Sequence, residues 1–65
     1  MKVERDKLEA LLIGKVIAQA ELGPGMFSLL FSDGTRLVRE KTFEGLNQAT
    51  LFGPAGETIA TAVLG

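Results

Sequence analysis

No histidine, cysteine, tryptophan or tyrosine occurs anywhere in these 65 residues, and proline occurs only twice. Each absence closes a route. Without histidine or cysteine there is no Ser-His or Cys-His couple for nucleophilic catalysis, no disulfide, and none of the usual ligands of structural zinc. A basic excess is missing too. Seven Lys and Arg against eight Asp and Glu give a net charge of -1, whereas general nucleic-acid binding rests on a positive surplus. Apolar runs such as Leu11-Leu12-Ile13 fall far short of a membrane span or a signal-peptide core. A cytoplasmic chain is expected, and the lack of cysteine fits a reducing compartment.

Apolar side chains are what the sequence has in quantity, 46% of all residues. Residues 1–65 make one small domain. At this size only about 60% of the unfolded surface is buried on folding, so burial roughly balances the cost of ordering the chain. Small domains close the gap with disulfides, metals or partner subunits, and the first two are excluded here. A homo-oligomer is therefore expected.

Glycines punctuate the chain. Asp6 followed by Glu9 has the spacing of an N-terminal helix cap, with Leu8, Leu11 and Leu12 at helical intervals and Gly14 placed to end the helix in a left-handed conformation. Residues 1–5 could extend this helix or pair as an edge strand. From Lys15 onward the pattern is of strands. Lys15 to Leu22 alternates Val16, Ala18, Ala20 and Leu22 with Ile17, Gln19 and Glu21. After Gly23-Pro24-Gly25, residues Met26 to Ser32 place Phe27, Leu29 and Phe31 on one face. Asp33-Gly34 is a hairpin signal of the type I′ kind, in which both central residues take positive φ. The return strand, Thr35 to about Thr42, sets Arg36, Val38 and Glu40 opposite Leu37, Arg39 and Lys41. Phe43 to Asn47 reads as a longer loop. Gln48 to Phe52 and Glu57 to Leu64 then form a hairpin across Gly53-Pro54-Ala55-Gly56, with Pro54 in a type I turn and Gly56 in the left-handed bulge position. In the last strand Ile59 and Val63 oppose Ala60, Ala62 and Leu64, so neither face is clearly polar, and a second copy is the simplest cover for the spare face. The expected fold is mainly β (α+β), a short N-terminal helix followed by a roughly five-stranded antiparallel meander.

Little chemistry is available to this chain. Ser28 and Ser32 read as solvent-facing strand residues. The carboxylates Asp33, Glu40, Glu44 and Glu57 could in principle form an acid–base pair or hold magnesium. Asp33 is better explained by its turn and Glu57 by its hairpin. No catalytic residue, no metal site and no cofactor is expected, and the chain is not read as an enzyme. The glycine-rich turns match no phosphate-loop spacing. Arg36, Arg39 and Lys41 lie together on one strand beside a polar segment. They are either edge-protecting charges on a solvated strand or an anion site in which the cations take phosphate oxygens. In the second case Asn47, Gln48 and Thr50 supply polar readout, and Phe52, or Phe43, could stack on a base, with a place in the core as the alternative for either phenylalanine.

Three segments carry a resemblance. Leu12-Ile13-Gly14-Lys15-Val16-Ile17, Asp33-Gly34-Thr35-Arg36-Leu37 and Glu44-Gly45-Leu46-Asn47-Gln48-Ala49-Thr50-Leu51-Phe52-Gly53 resemble, in order and approximate spacing, the opening strand, central hairpin and Glu-Gly-Asn segment of the Thoeris anti-defence sponge proteins of phages. The match covers about a third of the chain, which is shorter than those proteins and trimmed in its first hairpin. The resemblance implies non-catalytic sequestration of a small anionic ligand, such as a cyclic-nucleotide immune signal, with Arg36, Arg39, Lys41, Asn47, Gln48, Thr50 and Phe52 as ligand-binding residues. Two other expectations stand beside it. One is a protein-interaction module or inhibitor that docks through a strand edge; the other is a purely structural assembly unit.

Overall fold

The computed structural model describes the backbone of residues 2–64 and the side chains of residues 5–64. One helix, α1 (Lys2–Leu12), precedes five strands: β1 (Ile17–Gly23), β2 (Met26–Phe31), β3 (Arg36–Lys41), β4 (Asn47–Phe52) and β5 (Thr58–Val63). The strands form a single antiparallel sheet in chain order, an open meander with β1 and β5 as its edges. The mainly β architecture expected from the sequence is therefore present.

Helix α1 begins earlier than its capping signal. Asp6 lies inside it, because Lys, Glu and Arg are good helix formers and carry the helix back through the preceding residues. Met1 lies outside the described residues. At the other end Gly14 has φ 86°, a left-handed conformation that stops the helix as expected. Of the leucine stripe, Leu8 is buried, Leu12 half-buried and Leu11 exposed. The stripe meets the sheet over β5.

Three hairpins share one solution. At residues 31–35, 42–46 and 53–57 the first residue donates its N–H to the fifth residue's carbonyl, at 2.8, 2.7 and 2.7 Å. In each the fourth residue, a glycine, donates back to the first residue's carbonyl, at 3.0, 2.9 and 2.9 Å. Gly34, Gly45 and Gly56 have φ of 90°, 86° and 87°. This is a type I turn followed by a left-handed glycine bulge. Gly56 fills the role expected of it. Asp33 does not, since no non-glycine residue among those described has positive φ and the type I′ turn is excluded. The segment from Phe43 to Asn47 is not a longer loop either. Its turn is closed by the same two bonds, and Asn47 opens β4.

Strand register sorts the side chains onto two faces. On the helix face lie Phe27, Leu29, Phe31, Leu37, Ala49, Leu51, Ala60 and Ala62, and these build the core with Leu8 and Leu12. Leu51, at the centre, is 1% exposed. Two bulges interrupt the alternation, at Ala18 in β1 and Ile59 in β5, where the register shifts by one residue. The first breaks the regular alternation expected of Lys15 to Leu22. Helix α1 covers only the β5 side of its face, and β1 is exposed along its whole length.

Candidate binding surfaces

The outer face of the sheet, opposite the helix, carries no covering element among the described residues. Its middle row runs across all five strands, Glu21 beside Ser28, Ser28 beside Val38, Val38 beside Thr50 and Thr50 beside Thr61. The row above it pairs Leu30 with Arg36 and Arg36 with Phe52. The row below pairs Glu40 with Gln48 and Gln48 with Val63. Ile59 and Val63 are 38% and 53% exposed on this face, so the spare apolar surface of β5 is uncovered. Arg36 donates to Ser28 Oγ at 3.0 Å and approaches Glu21 at 3.7 Å. Lying across the strands in this way it buries Ser28, which is not the solvent-facing residue its pattern suggests. Thr61 donates to Thr50 Oγ1 at 3.4 Å.

The seven residues expected to bind a ligand do not share one site. Arg36, Gln48, Thr50 and Phe52 lie on the outer face, whereas Arg39, Lys41 and Asn47 lie on the helix face. The reason is the two-residue period of a strand, which sends adjacent cations to opposite sides. Within the second group Arg39 donates to Asn47 Oδ1 at 3.0 Å, and its guanidinium stands 5.9 Å from the Phe27 ring centroid, within cation–π range. Lys41 is exposed at the end of β3. Beside Arg39, between α1 and the sheet, lies a cavity of about 200 Å³ lined by Leu8, Leu12, Phe27, Leu37, Ala49 and Leu64, with Arg5, Glu9 and Arg39 as its charged neighbours.

The carboxylates are dispersed. Asp33 accepts a hydrogen bond from the Thr35 backbone N–H at 3.0 Å and forms an ion pair with Lys15. The Lys15 ammonium and the Thr35 donors hold its carboxyl far below the usual range. Glu57 accepts from the Ala55 N–H at 3.0 Å, inside its own turn. Glu40 is exposed on the outer face, and Glu44 belongs to the β3–β4 turn. No group of three or more metal-ligating side chains is found among the described residues.

Phe43 departs from the reading as a core residue. It stands fully exposed at the tip of the β3–β4 turn. Phe52 is half-buried on the outer face beside Arg36. No described helix is long and apolar enough to cross a membrane.

The fold and its surfaces define a class: a small open meander, braced by one helix, with a bare mixed face on one side and an apolar cavity on the other. No family model, curated protein or solved structure matches this chain.

Proposed function

We propose that this chain is a non-catalytic binding module whose working surface is the uncovered outer face of the sheet, held against another protein surface. One observation carries the reading. A sheet face centred on Val38, with Leu30, Phe52, Ile59 and Val63 around it, has no helix or loop over it among the described residues, and such a face is ordinarily buried against a second layer. The central threonine ladder and flanking charges keep it compatible with water until a partner arrives. A cytoplasmic setting suits a chain without cysteine.

The test is Val38→Lys, which puts a charge at the centre of the face without touching the core on the other side. Association, measured by sedimentation and by capture of binding partners, should fall while the far-ultraviolet circular dichroism stays unchanged. Association that is insensitive to Val38→Lys would exclude this face as the working surface.

A second reading, capture of a small anionic ligand such as a cyclic nucleotide, is favoured by Arg39. Its guanidinium is held by Asn47 beside Phe27 and next to the apolar cavity, a cation and an aromatic ring within reach of one small molecule. This is the activity that the resemblance to the Thoeris anti-defence sponges would carry, relocated to the helix face. A ligand that binds the folded state raises the melting temperature by mass action. A panel of cyclic mono-, di- and trinucleotides should raise it in the native chain and not in Arg39→Ala, with Arg36→Ala retaining the rise. No shift with any of them would remove this reading.

A further inference from the structure

The outer face is complementary to itself. We propose that it is a homodimer interface, two sheets packed face to face about a two-fold axis that lies between them, perpendicular to the strands, and crosses β3 at Val38. This rests on the reading of the outer face as the working surface and names its partner.

The axis follows from the order of side chains. Arg36 and Glu40 lie on the same face of β3, two residues to either side of Val38. Rotation about an axis across the strands keeps each strand above its own copy and reverses its direction. Arg36 then faces Glu40 of the second copy, and Glu40 faces Arg36, giving two opposite-charge contacts. An axis along the strands would instead set Arg36 against Arg36. The neighbouring strands agree with the first choice. On β4 Phe52 comes to face Gln48, and on β5 Thr58, with the bulged Ile59 next to it, comes to face Val63, so the exposed apolar residues of β5 are brought near each other. On the axis Val38, Thr50 and Thr61 each meet their own copies. Glu21 also meets its copy there, at the edge of the sheet, where it is 79% exposed and turned towards Arg36 of its own chain.

The size of the face suits the role. Five strands about 4.8 Å apart, with about six residues each rising ~3.3 Å, present a face of roughly 480 Å². Counting both copies, this approaches the ~1,000 Å² that separates specific interfaces from incidental contacts. Packed sheets stand ~10 Å apart, a gap that facing Arg and Glu side chains span together. The dimer is therefore a modest one, with dissociation in the micromolar range.

Sedimentation velocity over a concentration series of the whole chain tests this, with circular dichroism to check folding. The native chain should dimerise. Arg36→Glu and Glu40→Arg, each of which turns both charge contacts repulsive, should weaken the dimer about tenfold or more, and the double swap should restore it. The contacts of Arg36 with Ser28 and Glu21 cannot produce that rescue, because the double swap does not restore them. Single variants that weaken the dimer without rescue would overturn the axis. A native chain that stays monomeric at ~100 μM would overturn the dimer, micromolar binding being the expectation for so modest an interface. In that event a partner captured by the native chain and lost in Val38→Lys would leave the outer face as the working surface, whereas loss of both would end both readings.

Discussion

Replacing the turn glycines one at a time by alanine measures how much of this fold rests on its repeated hairpin. At Gly45 and Gly56 a Cβ would meet no atom within 4 Å, so the whole penalty is the backbone's. An alanine held at φ near 86° or 87° is in the left-handed region, which costs roughly 1–2 kcal/mol for a residue with a Cβ. Gly34 has nearly the same φ, 90°, but its Cβ would stand 3.3 Å from the Pro54 side chain in the adjoining turn. Gly45→Ala and Gly56→Ala should therefore destabilise equally, within about 0.5 kcal/mol, and Gly34→Ala should cost more. In a domain of this size each kcal/mol lowers the melting temperature by about 4–8 °C. Urea unfolding followed by circular dichroism is the assay, since there is no tryptophan or tyrosine to report by fluorescence. Protein concentration must be held fixed so that any association does not enter the comparison. Gly45→Asn should recover part of the loss, because asparagine tolerates the left-handed region better. A neutral or stabilising Gly45→Ala, the outcome when the unfolded chain alone is restricted, would refute the assigned turn. So would a Gly34→Ala that costs less than the other two.

Two further predictions concern the core and the Asp33 turn. Leu51→Ala, at the most buried large side chain, should cost about 2–5 kcal/mol by urea unfolding, enough to leave a domain this small largely unfolded. Because the Asp33 carboxyl titrates lower in the folded chain than in the unfolded one, its contribution is fully present above the unfolded value near pH 4 and declines progressively below it. Asp33→Asn should remove that contribution, so its stability should fall less steeply than that of the native chain between about pH 4 and pH 2, as read by thermal melts.

Much of the fold is legible because glycine and alternation are local signals. The helix end at Gly14, the core face of Phe27, Leu29 and Phe31, and the bulged turn at Gly56 all follow from spacing and φ preference. The β3–β4 turn escapes because Phe43-Glu44-Gly45-Leu46 has no proline and no Asn-Gly or Asp-Gly pair. Its signal was the interval instead: Gly34, Gly45 and Gly56 stand 11 residues apart. The helix start escapes because a capping pattern around Asp6 is formed as readily inside a helix as at its beginning, and only the helix-forming residues before it decide. Division of the candidate site between two faces was present in the alternation of Arg36, Val38 and Glu40 with Leu37, Arg39 and Lys41. Proximity along the chain had hidden it. The bulges at Ala18 and Ile59 leave no mark in the residue pattern, since they depend on the partner strand.

The interval between the turn glycines also fixes how such a chain can change in length. Each 11-residue step lays down one strand and reverses the chain's direction, so that Arg36 and Thr58, 22 residues apart, both pair with Phe52 from opposite sides. Gain or loss of 22 residues therefore returns the chain to the same end of the sheet, and from β2 to β4, where no bulge intervenes, the step also keeps the outward side chains outward, Ser28 matching Thr50 and Leu30 matching Phe52. A change of 11 would deliver everything that follows to the far end. Sheet width in a protein built this way grows in whole hairpins, and the bare outer face widens by about 10 Å with each one.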